Sequence, residues 1–348
     1  MPKTSAYATF SADTPLVPHS IERRAPGAKD VAIDILYCGV CHSDIHQSRN
    51  EWGHSVFPMV PGHEIVGRVR EVGSSVETLE VGDRVGVGNL VDSCRTCEAC
   101  LGDFEPFCMK GAAFTYNSSE MDRKTPTFGG YSKRIVVPEH FALKLPKELD
   151  LPGTAPLLCA GVATYAPLRR YNCTSGSRVA VIGLGGLGHL AVKFAAAMGA
   201  EVAVLTSSPS KVESAKALGA RRCLPMAGEA TFAENLGAFD LILDTVSAPH
   251  DYNAYLSLVR PGGTMVVLGV PPEPSPVAAF SLVFGNKQLA GSLVGGLALT
   301  REMLHFCARH GIAAEVEVIP IQEINEAYER VLDGQVNYRY VIDMNSLE

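Results

Sequence analysis

Several things are missing from this 348-residue chain, and each absence closes a class of function. There is no surplus of basic charge: 30 Lys and Arg stand against 37 Asp and Glu, a formal net charge of −7. The basic face that a nucleic-acid binder needs is therefore not expected. Residues 1–10 carry no basic stretch followed by an apolar one, so no secretory signal is expected and the default compartment is a reducing cytoplasm. The uncharged run Leu151–Leu168 is long, but Pro152, Pro156 and Pro167 with Gly153 and Gly161 would break a spanning helix, so no membrane partner is expected. Ten cysteines are too few for a disulfide scaffold in a chain of this length. Internal repeats and low-complexity tracts are absent as well. What is present is 47% apolar and 19% charged residues, enough for a large core and unlike a disordered or coiled-coil chain. At roughly 150 residues per domain the length predicts two domains.

The first part, to about Pro152, is rich in glycine, proline and β-branched residues. Strands are expected at Val31–Tyr37, Glu64–Val72 and Arg134–Val137, the last stopped by Pro138, which suggests a β-barrel or sandwich with long functional loops. After Leu151 the pattern changes. Strands at Arg178–Gly183, Glu201–Leu205, Leu241–Thr245 and Thr264–Gly269 alternate with helices at Leu187–Met198 and Ser210–Leu218, closed by Gly199 and Gly219. That alternation predicts an α/β unit with a doubly wound parallel sheet. The tail reads helix (Arg301–His310), strand (Ala314–Ile319), helix (Ile321–Leu332) and strand (Tyr338–Asp343), and periodicity leaves open whether it extends the sheet or returns to the first domain.

Gly183-Leu184-Gly185-Gly186-Leu187-Gly188 matches G-x-G-x-x-G between an expected strand and an expected helix, the context in which that pattern binds dinucleotides. Gly183 permits the tight turn, Gly185 lets the backbone approach a pyrophosphate, and Gly188 lets the helix pack on the strand. The helix N-terminus then faces the phosphates. At the end of the second strand, about 20 residues on, an NAD-binding chain usually carries Asp or Glu. Here the residues are Thr206, Ser207, Ser208, Pro209, Ser210 and Lys211, with no acid before Glu213. Hydroxyls and a lysine accept a 2′-phosphate that a carboxylate would repel, so NADP(H) is expected over NAD(H).

Cys94, Cys97, Cys100 and Cys108 lie within fifteen residues. Four thiolates close a tetrahedral zinc site with no open position, and its net charge of −2 makes it a poor Lewis acid, so a structural zinc is expected. The spacing fits no familiar iron–sulfur pattern, and the acidic balance argues against a nucleic-acid zinc ribbon.

The remaining candidates are dispersed: Cys41-His42-Ser43-Asp44-Ile45-His46, then Gly62-His63-Glu64, then Cys159-Ala160-Gly161. By spacing alone they read as readily as core residues. Taken in order with Val81-Gly82-Asp83-Arg84-Val85, the four-cysteine lobe and the glycine loop, the chain resembles the zinc-dependent medium-chain alcohol dehydrogenases over nearly its whole length. His42-Ser43-Asp44 and Gly183–His189 make it most similar to the cinnamyl-alcohol-dehydrogenase branch.

That resemblance implies a GroES-like β-barrel catalytic domain over residues 1–154, a Rossmann cofactor domain over 155–295, a return to the catalytic domain over 296–348, and an active site in the cleft between them. It implies Cys41, His63 and Cys159 as ligands of a catalytic zinc, with Glu64 close behind the metal and Asp44 orienting the histidine. Ser43 corresponds to the hydroxyl on the substrate oxygen and His46 to the outer end of a proton relay. His42 corresponds to a pyrophosphate contact, and Val270, Ser292 and Val294 fall by the cofactor. Trp52 and Phe114 are candidate walls of the substrate pocket. Phe114 falls where several plant enzymes carry tryptophan, which argues for a broad aldehyde range rather than a strict cinnamyl preference. The expected reaction is reversible NADP(H)-linked interconversion of alcohols and aldehydes with two zincs per chain, reduction favoured, in a dimer or tetramer. A sorbitol-type polyol dehydrogenase using NAD(H) would carry a glutamate among its zinc ligands and an acid after the second strand, and neither is present. A non-enzymatic scaffold would need only the lobe zinc.

Overall fold

The computed structural model describes residues 3–226, 229–336 and 338–348. Two units emerge from it: one runs to Cys159 and resumes at Gly295–Glu348, and the other is Ala160–Val294.

In the first unit the strand expected over residues 31–37 extends over Asp30–Gly39 and is the centre of a seven-stranded, mainly antiparallel sheet. Ile65–Val72 and Arg134–Pro138 pair with it antiparallel. Ile33, Ile35, Val69, Val85 and Tyr131 form a continuous core on this framework, as β-branched and aromatic side chains on a pleated surface should. The tail completes the same sheet: Arg339–Asp343 pairs antiparallel with Tyr37–Gly39 and parallel with Val316–Pro320. Tyr340 and Ile342 thereby enter the first unit's core. Arg339–Tyr340–Val341–Ile342 are all buried, so no alternation marked which sheet would take them.

The second unit carries six parallel strands in the order Arg222–Pro225, Glu201–Thr206, Arg178–Ile182, Phe239–Asp244, Val259–Val267, Gln288–Gly291. The order reverses between Arg178–Ile182 and Phe239–Asp244, which places a crevice outside the carboxyl ends of those two strands. The helix after Arg178–Ile182 is Gly188–Ala197, stopped by Gly199 at φ +85°. The second helix opens with a 3₁₀ turn, Pro209–Lys211, before Val212–Ala217. The apolar run at 151–168 is broken as its prolines require, into Leu151–Thr154, a 3₁₀ turn Ala155–Leu158 and the start of Ala160–Arg170. No helix among the described residues is long and apolar enough to cross a membrane.

The helix expected from Arg301 begins at Leu297, and its cap comes from the cysteine lobe. Asp103 accepts from the N–H groups of Ala298 (2.7 Å) and Leu299 (3.0 Å), and Glu105 accepts from that of Leu297 (3.2 Å). A Cβ on Gly296, the N-cap, would strike both carboxylates, so only glycine lets them close. Asp103→Ala should therefore cost about 1–2 kcal/mol, a cap's worth, and lower the thermal midpoint by roughly 4 °C. Glu98→Ala, which removes an acid that makes none of these caps, should leave it unchanged. A scanning-calorimetry comparison of the two variants checks this.

Candidate active site

Cys41 caps the helix His42–Ser48 with its backbone in an extended conformation. Asp44, three residues on and fully buried, accepts from the Cys41 N–H at 2.9 Å through one oxygen. Its other oxygen accepts from the Gly62 N–H at 3.0 Å and meets His63 Nδ1 at 3.0 Å. A carboxylate there accepts the Nδ1 proton and leaves Nε2 as the free donor atom, turned to the Cys159 sulfur at 3.2 Å. The Cys41 and Cys159 sulfurs are 4.0 Å apart. Two sulfurs on one tetrahedral zinc, each about 2.3 Å from it, are about 3.8 Å apart. The ligand atoms of Cys41, His63, Glu64 and Cys159 all lie within 4.8 Å of one another, so the donor set fits a zinc ion.

Behind this set the fully buried Glu64 pairs through Oε1 with Arg339, while Oε2 has no hydrogen-bond partner among the described residues. Burial pushes the Glu64 carboxyl up to about 7, with Arg339 pulling the other way. Arg339 had no signal in the sequence: it lies 275 positions away and reaches Glu64 only because the tail strand joins this sheet. Tyr131, whose hydroxyl is 3.4 Å from Asp44, and Tyr116, stacked on the His63 ring at 5.8 Å, were equally silent.

The other residues expected here occupy the same helix and its exit. The Ser43 hydroxyl lies 3.7 Å from the Cys41 sulfur. His46 hydrogen-bonds Glu51, and its ring lies 6.2 Å from His42 and 5.2 Å from Trp52. Trp52 is 42% exposed, and Phe114, on the two-residue strand Ala113–Phe114, is 40% exposed; unfilled apolar surface of this kind suits a pocket wall.

The four lobe cysteines converge independently, with ligand atoms also within 4.8 Å of one another. Cys94 and Cys100 sulfurs are 3.8 Å apart, and Cys97 and Cys100 3.5 Å. Backbone N–H groups of Cys97 and Met109 donate to sulfur at 3.3 and 3.4 Å, as thiolates require. Around them Leu101, Phe107 and Met109 are exposed, so the lobe has little core of its own and suits a metal staple.

In the second unit Gly183 sits at φ +86°, where a Cβ would press on Val246 and Thr245. A Cβ on Gly188 would strike the Gly183 carbonyl, which is the close helix–strand approach the motif serves. Gly185 and Gly186 lie between, on the turn before the helix, and Leu187 caps it. Nothing lies within 4 Å of a Cβ position at Gly185, so the backbone there is open to a ligand. Lys211 reaches back to donate to the Leu184 carbonyl at 3.0 Å, setting its charge beside the loop. Ser207 is exposed, and the Ser208 hydroxyl is 2.9 Å from that of Ser210. Val270 is exposed with its N–H on the Ser247 hydroxyl at 3.3 Å. Ser292 Oγ is buried without a partner among the described residues, and Val294 is buried.

A parallel dinucleotide-type sheet in one unit, and one closed and one open soft-donor site in the other, define a metal-dependent dehydrogenase. Family models match accordingly: an alcohol dehydrogenase GroES-like domain over residues 27–147 and a zinc-binding dehydrogenase domain over 186–309, and the chain belongs to the zinc-binding alcohol dehydrogenases. An NADP-dependent alcohol dehydrogenase C of Mycobacterium bovis is 52% identical over 347 residues, covering 100% of both chains. The aldehyde reductase YahK of Escherichia coli is 50% identical over 351 residues, covering 99% of each. Among solved structures, a cinnamyl alcohol dehydrogenase of Sorghum bicolor superposes with a TM-score of 0.96 at 42% identity, covering 100% of this chain and 99% of that one.

Proposed function

We propose that this chain interconverts primary alcohols and aldehydes by NADP(H)-linked hydride transfer, with reduction favoured and aromatic aldehydes within a broad range. The observation that carries this reading is the convergence of Cys41, His63 and Cys159, with Asp44 fixing the imidazole and Ser43 beside it. Two thiolates and a neutral imidazole balance the charge of a divalent zinc and leave one position for substrate. Zinc held there supplies Lewis-acid polarisation of the substrate oxygen, and the nicotinamide supplies or takes the hydride. Ser43 holds the proton at that oxygen, and His46, backed by Glu51, passes it toward solvent. Trp52 and Phe114 wall the substrate side. The lobe's four cysteines would fill every position of a second zinc and so serve structure.

Ser207, Ser208 and Lys211 recognise the 2′-phosphate, while His42 and the Gly183–Gly188 turn take the pyrophosphate and Val270, Ser292 and Val294 line the nicotinamide end. The nearest following acid, Glu213, pairs with Lys216 instead. Ser207→Asp should cut the NADP(H) over NAD(H) preference at least about tenfold, roughly 1.4 kcal/mol. Specificity constants with each cofactor test this, and an unchanged ratio would remove Ser207 from the site.

A probable mannitol dehydrogenase of Fragaria ananassa is 48% identical over 346 residues, so a second reading is polyol oxidation. A panel of benzaldehyde, cinnamaldehyde, short aliphatic aldehydes and mannitol with both cofactors separates the two. The homo-oligomer reading is supported by Phe280, Val283 and Phe284, exposed close to the edge strand Gln288–Gly291. The ten cysteines, none in a disulfide, support the cytoplasmic one.

A further inference from the structure

The crevice at the reversal of strand order has two lips. One is the glycine turn after Arg178–Ile182, and the other is residues 245–247, which follow Phe239–Asp244. The two lips touch. The Thr245 hydroxyl donates to the Ile182 carbonyl at 2.7 Å, and a Cβ on Gly183 would lie 2.8 Å from a Val246 methyl. The second lip also reaches the far side of the crevice: a Cβ on Gly269 would strike the Val246 carbonyl, and the Ser247 hydroxyl accepts from the Val270 N–H. Residues 245–247 therefore set the spacing between the glycine turn and the segment after Val259–Val267 that carries Val270.

What holds that segment is a buried pair. Asp244, fully buried at the strand's end, accepts from the Val246 N–H at 3.2 Å through one oxygen and meets His250 Nε2 at 2.9 Å through the other. His250 Nδ1 faces the Ala248 carbonyl at 2.8 Å. Tyr252 and Tyr255 pack on the ring at 4.9 and 5.4 Å from the following helix, Tyr252–Leu258, which Asp251 caps. The backbone of Ser247, Ala248 and Pro249 is thus closed into a loop from beneath, although the three residues themselves are exposed.

We propose that the Asp244–His250 pair is a positioning device for the dinucleotide: it holds residues 245–247 in the shape that keeps the crevice open to the cofactor's width. His250 acts through Val246 and Ser247 and touches no reacting atom. With the ring's donor gone, Asp244 loses its second partner, the loop relaxes, and the lip no longer braces Gly183.

The inference rests on the dinucleotide reading above, and one titration distinguishes the two. Fluorescence titration of the full-length, zinc-replete chain with NADPH gives a Kd that does not depend on the folded yield. His250→Phe keeps a ring for the tyrosines and removes both ring nitrogens. It should raise the Kd for NADPH at least about tenfold and leave kcat at saturating NADPH within about twofold. His250→Gln, which restores an N–H toward Asp244, should recover the Kd to within about threefold of wild type. The proposal is overturned if His250→Phe binds NADPH like wild type while only its thermal midpoint falls, or if His250→Gln is as weak as His250→Phe. A wild-type chain that fails to bind NADPH would instead overturn the dinucleotide reading itself.

Discussion

Cys159→Ala should reduce the zinc content from two ions per chain to one and cut aldehyde reduction about a thousandfold. The remaining ion should be the one in the lobe, whose four ligands are untouched. Removing a sulfur that lies 3.2 Å from His63 Nε2 and 4.0 Å from the Cys41 sulfur leaves two ligands, too few to hold zinc against solvent. Lewis-acid stabilisation is worth several kcal/mol, and a loss of about 4 kcal/mol lowers kcat/KM roughly a thousandfold. Cys173→Ala is the matched control, since Cys173 is a buried thiol that belongs to neither donor set. Asp44→Ala should show an intermediate result. It keeps all three ligands but frees the His63 ring, a change that costs about 10–100-fold in metal affinity or activity. Atomic absorption and steady-state kinetics on the same preparations check all three. A Cys159→Ala chain that keeps two zincs or its activity would move the catalytic site elsewhere.

The second large effect is on stability. Cys100→Ala opens the lobe at a buried sulfur that lies 3.3 Å from the Ser93 hydroxyl. Structural zinc contributes its binding free energy to folding, on the order of 10 kcal/mol in small domains, of which a large protein feels the share spent on ordering the lobe. Here that share includes more than the lobe, because Asp103 and Glu105 reach from it to cap the helix Leu297–His310. A loss of about 3–4 kcal/mol corresponds to a midpoint fall of roughly 10 °C. New proteolytic cleavage should appear within residues 95–110, where Leu101, Phe107 and Met109 are already exposed. At low temperature the surviving protein should retain one zinc and some turnover, the opposite pattern from Cys159→Ala. An unchanged midpoint would mean that the lobe folds without its metal.

The parts of this site that could be seen in the sequence are those whose members are close along the chain. The lobe's four ligands occupy fifteen residues, and the glycine turn is a single hexapeptide between a strand and a helix. Cys41 and Asp44 are joined by the geometry of a helix start. Cys159 is different. It lies 96 positions from His63, and only the likeness to a known family, with its ordered set of motifs, singled it out. Arg339 and the lobe's caps on the helix Leu297–His310 were hidden for the same reason. Their partners lie 275 and about 195 positions away, and no local pattern announces a contact made by a returning strand or a protruding loop. The edge strands Arg222–Pro225 and Gln288–Gly291 were missed because four residues without alternation carry too little signal. Asp244 and His250 lie six positions apart, close enough to be noticed, yet a histidine after a strand says nothing until the loop between them is seen to turn back.

The most direct test of the division of labour between the two metal sites is anomalous diffraction at the zinc edge from crystals of the wild-type chain grown with zinc, with turnover measured on the same preparation. Two peaks per chain are expected, one bonded by Cys41, His63 and Cys159 and the other by Cys94, Cys97, Cys100 and Cys108. A single peak in the lobe, from protein that reduces aldehydes at an undiminished rate, would contradict the account.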